Sequence, residues 1–174
     1  MAALASLISR KEHIMGNRAV IGWTGRDNEL HSDSVGVYLH WNGGRDSVEA
    51  FLAYCKACGF RSPSEDNYGV ARFVQVVSNF FGSSGGGLSV GVDRIDLLDA
   101  DNGDNGLYVC KGWSIVGREH FKGEEQNVHD MLSMLEEINL RQPEYMQMSS
   151  EQIQAIAKQY QAKSESPVFA PEDM

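Results

Sequence analysis

Two runs of branched and aromatic residues, Arg18-Ala19-Val20-Ile21-Gly22-Trp23-Thr24 and Val35-Gly36-Val37-Tyr38-Leu39-His40-Trp41, precede two helical patterns with no strand between those helices. This order constrains the fold more than any other feature. Only ten polar, turn-rich residues (25–34) separate the runs. That connection suits a hairpin better than a crossover, so antiparallel pairing is expected. The first helix follows at Asp46, read as its N-cap with Glu49 as the reciprocal partner, and Val48, Phe51, Leu52 and Cys55 form one apolar stripe. Gly59 closes it in the left-handed conformation. The second helix is expected to start at once, with Ser62 as cap, Pro63 in the first position and Glu65 completing a capping box. Its buried face carries Val70, Phe73, Val74, Val77 and Phe81, and Gly69 within it marks a place of close packing.

Beyond the glycine-rich loop 82–87, residues 88–92 and 95–98 read as extended. The acidic turn 99–106, with two Asn-Gly pairs, predicts a hairpin tip, and residues 107–116 return as a strand. A third helix carries Val128, Met131, Leu132, Leu135 and Ile138 with Asn127 as cap, and Gln142-Pro143 ends it. Ser149 and Gln152 form the capping box of a fourth helix, whose inner face holds Ile153, Ile156, Ala157 and Tyr160. The order is ββααββαα. It predicts an α+β fold: an antiparallel sheet of about four strands in two hairpins, with helices packed on one face. A chain of 174 residues fits one such domain. We place it at 15–162, with residues 1–14 as an N-terminal extension and 163–174 as a loose tail.

A net charge of −9 opposes any nonspecific grip on phosphate backbones, so direct nucleic-acid binding is not expected. Its plain reading is solubility, and its sharper reading is an acidic surface that docks on a basic protein. No apolar run reaches the roughly 18–20 residues that cross a bilayer. The three cysteines, Cys55, Cys58 and Cys110, are an odd set without a secretory pattern, which points to a reducing cytoplasm. Cys55 and Cys58 make a C-x-x-C late in a helix, where the dipole disfavours a thiolate, so structural thiols are expected.

Three places could carry chemistry. The turn Asn42-Gly43-Gly44-Arg45-Asp46-Ser47 joins a strand to a helix N-terminus, a natural anion cradle; the same letters also make a tight turn and a cap. His40 and Trp41 stand just before it, and His40 could serve as a base. Tyr68, Arg72, Gln75 and Asn79 recur at helical spacing opposite the buried face, bordered by loops 61–67 and 82–87, and form a candidate surface for a partner or ligand. Asp99, Asp101 and Asp104 are oxygen donors without EF-hand spacing; a solvated tip is the plainer reading, and no metal or other cofactor is expected. With Asp93 and Asp96 they would form a negative patch if all faced outward.

The turn 42–47 resembles the S-G-G-x-D-S phosphate loop of PP-loop ATP pyrophosphatases, with Asn42 in place of the first serine. That resemblance implies a nucleotide-binding enzyme with Gly43, Gly44, Asp46 and Ser47 at the phosphates. A broader resemblance is carried by Asn17-Arg18-Ala19-Val20-Ile21, by residues 38–52 (Tyr38-Leu39-His40-Trp41 through Ala50-Phe51-Leu52), by Tyr68-Gly69, Ala71-Arg72, and by Phe80-Phe81-Gly82. These residues are similar to a family of small phage- and prophage-encoded proteins with no established activity. That resemblance implies a bacterial host cell and an accessory protein that binds and blocks a host protein. The favoured expectation is thus a non-enzymatic, acidic binding or inhibitory protein; the alternative is the nucleotide-binding enzyme.

Overall fold

β1 (Ala19–Trp23) lies at the centre of a five-stranded sheet and every residue of it is buried. The computed structural model describes residues 17–82, 89–125 and 127–164. Along the chain follow β2 (Val35–Leu39), α1 (Arg45–Ala57), α2 (Asn67–Gly82), β3 (Val90–Arg94), β4 (Leu107–Lys111), β5 (Ser114–Glu119), α3 (Met131–Leu140) and α4 (Ser150–Ser164). The sheet order is β3-β2-β1-β4-β5. β1 and β2 form the expected antiparallel hairpin, with Ile21 opposite Val37. The fold is α+β. The sheet is mixed and has five strands, which corrects the expected four-stranded antiparallel sheet.

The correction comes from β4. It runs parallel to β1, with Val20 opposite Leu107 and Trp23 opposite Cys110. β3 pairs with β2, on the other side of β1. The two Asn-Gly pairs therefore lie in a crossover from one side of the sheet to the other. Asn102 is buried there and replaces the missing strand ladder. Its Nδ2 donates to the carbonyls of Asp99 (3.1 Å) and Gly106 (3.2 Å), and its Oδ1 accepts from the amides of Asp104 and Gly106. The true second hairpin is β4–β5. It turns at Gly112-Trp113, with Gly112 at φ +56° as the first central residue of a two-residue turn, so the single strand expected over 107–116 is two.

The four helices among the described residues all contribute to one apolar cluster on one sheet face. Phe51, Phe73, Leu135 and Ile153 meet Ala19, Ile21, Val37 and Tyr108 there. The other face is covered by the crossover and the β1–β2 loop: Ile95, Leu98 and Leu30 pack on Val20 and Leu107. Helices on one face is thus as expected.

The helix ends show where local signals were decisive. Ser149 and Gln152 make the reciprocal box: Ser149 N donates to Gln152 Oε1 at 2.9 Å, and Gln152 N to Ser149 Oγ at 3.2 Å. α2 instead starts at Asn67, and Asp66 Oδ1 accepts from Tyr68 N at 2.7 Å; Ser62 and Pro63 belong to a separate turn. α3 is capped by Asp130, not Asn127, through the amides of Leu132 and Ser133, which leaves Val128 outside the helix and 71% exposed. In α2 and α3 the acidic residue nearest the first helical turn prevailed over a cap further upstream.

Gly69 is the close approach that the sequence marks. A Cβ there would stand 2.5 Å from the Arg61 carbonyl oxygen and 2.5 Å from Pro63 N, both backbone atoms. Alanine normally stabilises a helix over glycine by about 1 kcal/mol. Gly69→Ala is expected to do the reverse and cost about 1–3 kcal/mol in urea unfolding. Gly82→Ala, where the added carbon meets no other described residue within 4 Å beyond its own helix, should be neutral or mildly stabilising.

Candidate functional site

The exposed side of the first half of α2 is the best-formed surface among the predicted residues. The opposite side of that helix is anchored by Phe73, Val76, Val77 and Phe80, all buried. Tyr68 is 63% exposed, and the Arg61 guanidinium lies over its ring at 5.4 Å. Arg61 is itself held by Asp66 at 2.8 Å, the residue that caps the helix. Arg72 lies over the Phe60 ring at 5.6 Å and donates to Gln75 Oε1 at 2.8 Å. Two arginine–aromatic pairs therefore join α2 to the loop that precedes it, one partner of each pair on the helix. Arg61 and Phe60 were not singled out in the sequence; only their nearness to Tyr68 along the chain pointed to them.

Asn79 does not join this face as a free group. Its Nδ2 donates to Gln142 Oε1 at 3.0 Å, and the buried Gln142 donates on to the Val76 and Ile138 carbonyls. It fastens α2 to the end of α3. The fourth member of the stripe is thus a structural strut, and the candidate face comprises Tyr68, Arg72 and Gln75, with Arg61 and Phe60.

The glycine turn lies elsewhere, against the start of β1. Gly43 and Gly44 are buried and Ser47 is fully buried. The Gly43 amide donates to the Asn17 carbonyl at 2.7 Å, and the Tyr108 hydroxyl donates to the Gly43 carbonyl at 2.9 Å. A Cβ at Gly43 would stand 2.4 Å from that Asn17 oxygen. The N-cap of α1 is Gly44, which corrects the assignment of Asp46; Glu49 pairs with Arg45 at 2.8 Å instead of closing a box. Asp46 sits in the first helical turn. Its Oδ1 accepts from the Ser47 amide at 2.7 Å, while its Oδ2 accepts from the amides of Val128 and His129, each at 2.8 Å. The Ser47 hydroxyl is directed at Met134 Sδ, 3.8 Å away. A phosphate at this turn would compete with bonds already made. The strand leading into it, β2, is antiparallel to both its neighbours.

His40 Nδ1 lies 3.1 Å from the Tyr38 hydroxyl, and its ring stands edge-on to Trp41, which is 40% exposed. The acidic residues are dispersed in role. Asp104 holds Arg18 at 2.7 Å, Asp96 pairs with Arg94, and Asp101 lies 3.9 Å from Lys122. Among the described residues, Asp99, Asp101 and Asp104 do not converge on a common ligand position. Asp27, Glu29 and His31 do, all exposed, and the 2.6 Å bond from His31 Nε2 to Asp27 Oδ2 accounts for part of that closeness. This pairing raises the His31 pKa above its ordinary value, with the Asp27 hydrogen bond as the main cause.

The cysteines behave as core. Burial raises Cys55 and Cys110 well above the ordinary thiol range and pushes Cys58 up to about 11. Comparison with protein-family models, with curated proteins and with solved structures finds no match for this chain.

Two outcomes follow. At pH 8 the folded chain should react slowly with a thiol reagent, at half-buried Cys58 first, with Cys55 and Cys110 reacting only after unfolding; rapid release of all three would contradict their packing. Asp46→Ala should cost about 1.5–3 kcal/mol in urea unfolding, since charge-assisted bonds are lost, and should speed hydrogen exchange at Val128 and His129.

Proposed function

We propose that this chain is a non-enzymatic binding protein that engages and inhibits a host protein through the Tyr68–Arg72–Gln75 face, and that it is an accessory protein of phage or mobile-element origin. The observation that supports the reading is the pairing of exposed Tyr68 with Arg61 and of Arg72 with Phe60 on a helix whose other side is core. Aromatic and arginine side chains dominate the energetics of protein interfaces because they bury large areas at small entropic cost. Here both are held in place before binding, which lowers the ordering cost further. The net charge of −9 adds long-range attraction to a basic partner and speeds encounter. His40 and Trp41 lie outside this surface's hydrogen-bonded set and are given no role in it. The nucleotide-enzyme alternative gains no comparable support, because the Gly43 and Ser47 amides and the Asp46 carboxylate of the glycine turn are engaged in the fold.

The test is affinity capture from bacterial lysate at low and high ionic strength, with wild type and Tyr68→Ala/Arg72→Ala side by side. Wild type should retain a discrete basic protein whose recovery falls with salt, and the double variant should bind it about 30-fold or more less tightly. Recovery of nothing at low ionic strength, or equal recovery by the variant, would refute the reading.

A further inference from the structure

We propose that the cleft at the carboxyl ends of the parallel strands β1 and β4 binds a small phosphomonoester that carries free hydroxyl groups. Gly25, Arg26, Asn28, Ser64, Glu65 and Lys111 line this cleft, whose volume is about 490 Å³. β1 and β4 end there together: Trp23 pairs with Cys110, and the Thr24 amide donates to the Cys110 carbonyl at 2.8 Å. In open α/β sheets ligands gather outside the carboxyl ends of the parallel strands, and β1 and β4 form one parallel pair of that kind here. The size falls within the range of small-molecule sites and exceeds what inorganic phosphate alone requires.

Charge carries the argument. Among the described residues, every other arginine is held by a carboxylate or, at Arg72, by Gln75. Arg26 and Lys111 are exposed, form none of the ion pairs found among those residues, and face one cleft in a chain of net charge −9. Two unneutralised cations on a shared cavity suit an oxyanion that both can contact, with the guanidinium able to bind two oxygens at once. Glu65 on the same wall would repel a bare anion but accepts hydrogen bonds from hydroxyls, which sets the second half of the ligand. The loops are fixed: Ser64 Oγ accepts from the Gly112 amide at 2.8 Å, joining the loop before α2 to the β4–β5 turn.

A second observation lies at the same strand end. Trp23 and Thr24, the two residues before Gly25, are each 4% exposed, and among the described residues neither Trp23 Nε1 nor the Thr24 hydroxyl has a hydrogen-bond partner. Buried polar groups are nearly always paired, so two unpaired ones beside the cleft are unusual, although neither side chain lines it.

The experiment is an NMR titration of the full chain with ribose 5-phosphate, with ribose and inorganic phosphate as comparison probes. Ribose 5-phosphate should move the Gly25, Asn28, Ser64 and Gly112 amides saturably, with a Kd below about 1 mM. Inorganic phosphate should bind more weakly, and ribose should cause no saturable shift. Arg26→Gln and Lys111→Gln, both at exposed positions, should each raise the Kd about tenfold, and Lys122→Gln, which removes the same charge elsewhere, should leave it unchanged. Absence of saturable shifts up to about 10 mM, or equal weakening by Lys122→Gln, would overturn the proposal.

Discussion

The approach of Gly43 to the first residues of β1 is the contact on which the rest of the structure depends. The turn that leaves β2 must bring α1 down onto the sheet within a few residues. It does so by laying its backbone against Asn17 and Arg18, where no side chain fits. Tyr108 from β4 then locks the turn from within the core. β2, β1, β4 and α1 are thereby tied at one point, beside the parallel pair at the centre of the sheet. The letters that resemble a phosphate loop are explained by this joint: the glycines allow the approach, and Asp46 secures the segment before α3.

The consequence for function is that the working surfaces lie away from the turn. Two lie on or beside the loop before α2. One is the outward side of that helix, where arginines are stacked on aromatic rings. The other is the cleft where β1 and β4 end. Both rest on elements packed into one core, so neither needs a large rearrangement to present its side chains. The acidic residues play a different part. Two of those expected to form a negative patch, Asp104 and Asp96, are paired with Arg18 and Arg94, so the net charge acts as a diffuse field more than as a contact surface.

Local chemistry in the sequence was legible wherever a few neighbouring residues decide the outcome. The β1–β2 hairpin, the apolar stripes of α1 and α2, the Ser149–Gln152 box and the crowding at Gly69 belong to this class. Apart from the caps expected at Asp46, Ser62 and Asn127, what escaped was long-range. The pairing of β4 with β1 is set by burial of Leu107, Tyr108 and Cys110, and no local pattern encodes a partner more than eighty residues away. The Asn-Gly pairs misled because positive-φ glycines serve an asparagine-centred loop as well as a hairpin. The stripe on α2 was correct as a periodicity. Asn79 left it only because Gln142, distant in sequence, reaches back to it. Arg26 and Lys111 could not be linked from sequence, since their nearness follows from the unanticipated parallel pair.

The central claim is that the 42–47 turn is a closed structural joint. Native-state hydrogen exchange at the Gly43 amide tests it most directly, measured with and without ATP. A closed joint should exchange only through global unfolding, at a rate matching the slowest core amides and unaffected by nucleotide. Exchange much faster than the core, with protection appearing when ATP is added, would contradict it and restore the turn as a phosphate site.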